Sequence, residues 1–266
     1  MASRIICHNA RTLGSGPRTL VFGHGLGTDQ SIWRLVAPRM AVDHRVVLLD
    51  WAGCGHSDPQ AFDSGRHASL RGHAHDLCEL LAEEQWGPVT YVGHSAGGMI
   101  GVLAAIEQPW LFEQVVLLAA SPRYLDDPPH YVGGSRPADV AALFELMDQN
   151  FLGWSSSFAA MAAKDSEVQR TLEGLFNSSD RGRLREFAES VMSSDFRAVL
   201  PELTLPALVM GTAEDDMVPT CVGEYLHAHL AGSTYVCLNL AGHCPQMTHP
   251  QQVEAELRTF MAKRPA

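Results

Sequence analysis

Short, nearly continuous apolar runs recur along the chain, separated by longer stretches whose apolar positions repeat at helical spacing. The runs are Thr19–Gly23, Arg45–Asp50, Val89–Val92, Val115–Ala119, Ala207–Gly211 and Thr234–Leu238. They are brief, rich in β-branched residues and without strict alternation, which is how strands covered on both faces read. Between them, Leu70, Ala74, Leu77 and Leu81 put one apolar stripe on a helix. Another helix is expected after Pro219, carrying Val222, Tyr225 and Leu226, and a last one from about Gln251 to Met261. Alternating strands and helices predict a mostly parallel, doubly wound α/β sheet. Sites in such sheets lie outside the carboxyl ends of the strands.

The alternation fails over residues 122–202. A polar stretch opens at Pro122 and runs through Pro128, Pro129 and Pro137. Four helical patterns follow, near 138–149, 150–163, 166–177 and 181–194. A helical insertion between two sheet strands is expected to cap the strand ends. It divides the chain into a core of residues 1–121 and 203–266 and a cap of residues 122–202.

Length and charge narrow the class. The 266 residues suffice for one α/β domain with an insertion. A net charge of −11 without any basic run argues against nucleic-acid or anionic-membrane partners. The six cysteines, Cys7, Cys54, Cys78, Cys221, Cys237 and Cys244, are scattered and never in C-x-x-C spacing. That argues against a zinc or disulfide framework and for a reducing, cytoplasmic setting. The first residues lack the apolar stretch of a signal peptide, and no run approaches bilayer length. His73-x-His75 and His227-x-His229 have the look of ligand pairs. Residues i and i+2 of a helix do not face each other, so no metal site is expected.

Val89–Val92 runs straight into Gly93-His94-Ser95-Ala96-Gly97, and a helical pattern continues from Gly98. A G-x-S-x-G pentapeptide between strand and helix holds its serine at the tip of a tight turn, above a helix N-terminus. The flanking glycines relieve crowding where the backbone bends. A serine hydroxyl becomes a good nucleophile when a histidine takes its proton and a carboxylate fixes the ring's tautomer. The chain order for this arrangement is serine, acid, histidine. The sequence offers Ser95, then Asp215 or Asp216 past Ala207–Gly211, then His243 past Thr234–Leu238. Singly, each reads as ordinary; order and strand-end position together select them. Two backbone N–H groups must meet an oxyanion. Ala96 follows the serine, and Leu26 lies in His24-Gly25-Leu26-Gly27, after an earlier strand. Asp50–Ser57 reads as a structural loop. Trp154, Phe158, Met192, Met217 and Met247 are candidate pocket residues, with Gly25 and His94 beside the serine.

These residues resemble a branch of the α/β-hydrolase superfamily that contains the bacterial stress-signalling hydrolase RsbQ and the plant strigolactone and karrikin receptors. The resemblance is carried by His24 through Trp33, Gly93-His94-Ser95, Met99-Ile100-Gly101 and Gly242-His243-Cys244-Pro245. It extends through Ala120–Leu125, Tyr131–Gly134, Asn150-Phe151, Trp154, Ser194–Arg197 and Val222–Leu226. It implies an α/β-hydrolase fold with a four-helix cap over an apolar pocket, and neither metal nor organic cofactor. It also implies slow hydrolysis of esters, lactones or butenolide-type ligands, and in some members a sensor role with a signalling protein partner. By resemblance the triad is Ser95, Asp215 and His243; the branch usually has proline four residues after the acid, as Pro219 is here. The chain departs from the branch at Ala96-Gly97, where Val-Ser is usual. It departs again at Leu26, where an aromatic is common, and at Ser135 and Met192 in place of cap phenylalanines. Fewer aromatics and a softer methionine imply a differently shaped pocket.

The expected activity is serine hydrolysis of a small, largely apolar carboxylic ester or lactone through an acyl-enzyme. A ligand sensor with vestigial hydrolysis is the alternative, and carbon–carbon bond hydrolysis on the same residues is a third. A haloalkane dehalogenase is disfavoured, since it needs a carboxylate at position 95.

Overall fold

The computed structural model describes residues 3–263; the reading of Met1 and Ala2 and the last three residues of the expected core segment lie outside them. Seven strands form one sheet in the order β1-β3-β2-β4-β5-β6-β7. They are β1 (Arg11–Leu13), β2 (Thr19–Gly23), β3 (Arg45–Leu48), β4 (Val89–His94), β5 (Phe112–Leu118), β6 (Ala207–Glu214) and β7 (Thr234–Ala241). β1 pairs antiparallel with β3, and every other pairing is parallel. β2 and β4 are buried along their whole length, as their unbroken apolar runs require.

Two features depart from the sequence reading. The exposed three-residue β1 buries no side chain, so it leaves no hydrophobic signature. β7 is an edge strand with mostly half-exposed residues rather than a strand covered on both faces. β6 and β7 also run on to Glu214 and Ala241, close to the two residues of greatest chemical interest.

Core helices α1 (Leu70–Glu84) and α2 (Ala96–Glu107) pack on each other, and α7 (Thr220–His229) packs on β6 and β7. The chain closes on α8 (Pro250–Ala262), which buries Val253, Leu257, Phe260 and Met261. Between β5 and β6 stand four helices, α3 (Pro137–Gln149), α4 (Phe151–Ala162), α5 (Ser166–Ser178) and α6 (Arg181–Met192). Their starts follow local chemistry. Pro137 opens α3, and the side chains of Asn150, Asp165 and Asp180 accept first-turn amides of the next three. The insertion's two ends lie side by side. Phe196 N–H donates to the Pro122 carbonyl at 2.8 Å, and Arg123 and Arg197 both bind Asp195 at 2.7 Å. No helix among the described residues is long and apolar enough to cross a membrane.

Candidate active site

Ser95 sits between the end of β4 and the start of α2 with φ 55° and ψ −124°. A positive φ on a residue with a β-carbon is strained, and such strain is found where a structure holds a side chain in a set direction. Parallel neighbours hold the turn: Ser95 N–H donates to the Leu118 carbonyl at 2.8 Å, and Ser95 O accepts from Gly98 N–H at 2.9 Å. Gly93 and Gly97 are needed for space rather than for φ. A methyl on Gly93 would strike the Gly97 carbonyl, and one on Gly97 would strike the backbone of Gly23 and His24.

Two strand ends bring the partners. His243 Nε2 lies 2.9 Å from Ser95 Oγ, and His243 Nδ1 lies 2.7 Å from Asp215 Oδ2. Asp215 Oδ1 accepts the amides of Met217 and Val218 at 2.8 and 3.1 Å, which aims its other oxygen at the ring. Burial pushes the Asp215 carboxyl up, but the charge and hydrogen bond of His243 and the two amides outweigh it, and the acid is held below its ordinary range. Asp216 turns outward and pairs with Lys164.

His243 is fixed from three sides. Its own amide donates to the Ala162 carbonyl at the end of α4 at 2.8 Å. Thr212 Oγ1 donates to the Gly242 carbonyl at 2.8 Å. His94, expected beside the serine, donates from Nε2 to the His243 carbonyl at 2.9 Å. Burial and the neighbouring His243 push His94 down to about 3, so it stays neutral and serves as this donor.

The loop after β2 lies against the serine. A β-carbon on Gly25 would come within 2.9 Å of Ser95 Cβ, so only glycine lets this backbone approach so closely. The loop turns at Gly27, φ 69°, with Leu26 between the two glycines. Trp51 Nε1–H donates to the His24 carbonyl at 2.8 Å and Trp51 N–H to His24 Nε2 at 3.1 Å, clamping the loop. Ala96 is the first residue of α2, where helix geometry leaves amides without intrahelical partners.

Two chambers share Phe158 and Met217, and one of them reaches Ser95. The inner one, about 20 Å³, is lined by Ser95, His94, His243, Leu26, Phe158 and Met217, among others. The outer, about 150 Å³, is lined by Tyr124, Val140, Leu143, Phe158, Met192 and Met217, among others. Phe158 and Met217 border both and form the partition between them. Trp154 lines neither chamber: it stacks at 5.1 Å on Phe158 and lies 5.5 Å from both Phe151 and Phe176, a packing residue inside the insertion. Met247 instead lines a wider polar groove of about 560 Å³, bounded by Arg34, Lys164 and Glu167. That groove shares no residue with either chamber, so size does not mark the site here.

Sequence reasoning missed Tyr124, whose Oη lies 3.2 Å from Ser95 Oγ. It follows β5 by a few residues, and the strand-end rule was the signal that could have found it. Chemically, a serine hydroxyl on a buried imidazole that is held by a carboxylate can pass its proton to the ring as it attacks a carbonyl.

Comparison with known proteins adds an independent line. A family model described as "Alpha/beta hydrolase family" matches residues 20–256. The chain is 41% identical, over 92% of both chains, to a probable esterase of Oryza sativa subsp. japonica. It is 39% identical, again over 92% of both, to "Karrikin insensitive 2 receptor CA" of Petunia hybrida. A solved hydrolase from Oleispira antarctica superposes with a TM-score of 0.96 at 30% identity, over 98% of this chain and 97% of that one. A seven-stranded, mostly parallel sheet with a serine turn after β4, together with these matches, makes this chain a member of the α/β-hydrolase family.

Proposed function

We propose that this chain is a serine hydrolase that cleaves a small, largely apolar carboxylic ester or lactone through an acyl-enzyme. The observation carrying this reading is the hydrogen-bonded series Ser95–His243–Asp215, with spacings of 2.9 and 2.7 Å. Ser95 Oγ attacks the carbonyl carbon while His243 Nε2 takes its proton. The amides of Leu26 and Ala96 receive the oxyanion. His243 then gives the proton to the leaving oxygen, and a water activated by the same ring releases the acyl group. For a lactone the leaving oxygen stays tethered to the acyl chain. The apolar lining of the outer chamber by Leu143, Phe158, Met192 and Met217 supports a substrate with little charge. Residues 122–202 serve as the cap and residues 1–121 with 203–266 as the core. Unbridged thiols at Cys54, Cys78, Cys221, Cys237 and Cys244 support a cytoplasmic setting.

The test is turnover of a short-chain aryl ester by wild type and by Ser95→Ala. Loss of the nucleophile should cost at least about a thousandfold in kcat. An alanine variant retaining more than about a thousandth of the rate means that another group attacks.

A second reading, a ligand receptor with a signalling protein partner and slow hydrolysis, is favoured by one observation. The chamber touching Ser95 holds only about 20 Å³, so a ligand reaches the serine by displacing Phe158 or Met217, and occupancy is coupled to the cap. Its kinship with a protein named as a receptor supports the same reading. Rapid turnover with no change of the cap on ligand binding, followed by the fluorescence of Trp154, excludes it.

A further inference from the structure

Of the pair His73-x-His75, His75 turns outward to Glu107 at 2.7 Å. His73 faces a different partner set. His73 and Asp76 are three residues apart on α1, hence on one face, and His67 lies in the short 3₁₀ turn just before it. One donor atom from each of His67, His73 and Asp76 lies within 4.8 Å of the others, and all three residues are buried.

We infer that His67, His73 and Asp76 form a binding site for a divalent transition-metal ion of the zinc type. Four observations carry it. First, His73 is sealed from solvent, yet neither ring nitrogen has a hydrogen-bond partner among the described residues. A neutral imidazole always carries one N–H and one lone pair, and buried polar atoms are rarely left without partners. Second, the outer contacts suit metal ligands. His67 Nδ1 lies 3.0 Å from both the N–H and the carbonyl of Asp63, a backbone contact that fixes the ring, while Nε2 is bonded to Asp76 Oδ2, a bond that an entering ion would replace. Third, Asp76 binds Arg66 through Oδ1 and His67 Nε2 through Oδ2 at 2.9 Å, so a carboxylate oxygen already lies beside one of the imidazoles. Fourth, two imidazoles and one carboxylate are a donor set that zinc takes readily.

Coordination bonds of about 2.0–2.2 Å place tetrahedral ligand atoms roughly 3.3 Å apart. The donor atoms, within 4.8 Å of one another, must draw closer to reach that spacing. His8, also buried with an unpartnered Nε2, lies within electrostatic reach of the cluster. The cluster sits at the seam with the cap: Phe187 of α6 packs 4.9 Å from the His73 ring, and Phe62, which stacks on His67, lies under Arg183 of α6.

The test uses the full chain, stripped with chelator and titrated with zinc by calorimetry and with cobalt(II) by visible absorption. The expected result is one ion per chain, with the intense absorption bands of four-coordinate cobalt. His73→Phe keeps the ring volume and should weaken binding by more than the roughly 10–100-fold that outer contacts are worth. His227→Ala, which removes a surface histidine, should leave it unchanged. No uptake by wild type overturns the proposal and assigns the ring nitrogens of His73 to a buried water. Uptake that survives His73→Phe, or that is lost in His227→Ala, overturns it in favour of surface binding. The wild-type cobalt spectrum decides by itself if a variant does not fold, because weak six-coordinate bands also overturn it.

Discussion

Asp215 and Asp216 are neighbours with opposite surroundings. The Asp215 side chain is 1% exposed and bonded to His243, whereas that of Asp216 is 51% exposed and bonded to Lys164. Replacing an orienting carboxylate by its amide leaves the shape intact but favours the wrong tautomer, at a loss on the order of 10⁴ in kcat. Asp215→Asn should therefore lower kcat for an aryl ester by about that factor, while Asp216→Asn stays within about twofold, as surface changes do. Equal losses in steady-state assays would show that neither acid orients the ring. Order along the chain could not separate the two acids, because at a strand end one step of the backbone decides which side chain faces inward. The same limit applies to His94. Its place before the serine is plain in the sequence, but its hydrogen bond to the carbonyl of His243, 149 residues away, depends on the register of the sheet.

Helix boundaries were more legible than strand boundaries. The four inserted helices begin within two residues of expectation, because Pro137, Asn150, Asp165 and Asp180 are local start signals. β1 was invisible, since three exposed residues carry no burial pattern. The ion pairs joining the insertion's ends were equally hidden, for they link Arg123 and Asp127 to residues about 70 positions on. Hydrogen bonds from Arg197, then from its backbone and Arg123, hold the Asp195 carboxyl down to about 2 despite partial burial. A carboxyl depressed below its unfolded value of about 3.9 stabilises the fold above that value and loses the effect as pH falls through about 2. Asp195 is a third exposed, so screening limits the effect to at most about 1 kcal/mol. Asp195→Asn should lower the melting temperature by no more than roughly 2–4 °C near neutrality. The gap to wild type should narrow as pH drops from about 4 towards 2. A gap independent of pH in thermal melts would mean that Asp195 acts through packing alone.

At the scale of the whole molecule, the site is an assembly of separate segments around a partition. The outer chamber draws Tyr124 from beyond β5, Leu143, Phe158 and Met192 from the insertion, and Met217 from beyond β6. No single stretch announces such a space, so sequence points to candidate residues for the chemistry and not to the room around them. Phe158→Leu should thin the partition and raise kcat/KM for a longer acyl ester relative to the acetyl ester by about tenfold, the scale of one or two methylenes in an apolar pocket. An unchanged ratio would mean that the acyl chain does not pass Phe158. One bond binds this architecture to its chemistry: the carbonyl of Ala162, at the end of α4, accepts the backbone amide of His243. His243, the base of the proposed reaction, is thus anchored to the inserted helices as well as to the sheet. An outward swing of α4 must either break that bond or draw the imidazole off Ser95. Under the proposed function, admission of a ligand and reactivity of Ser95 would then belong to one motion of α4.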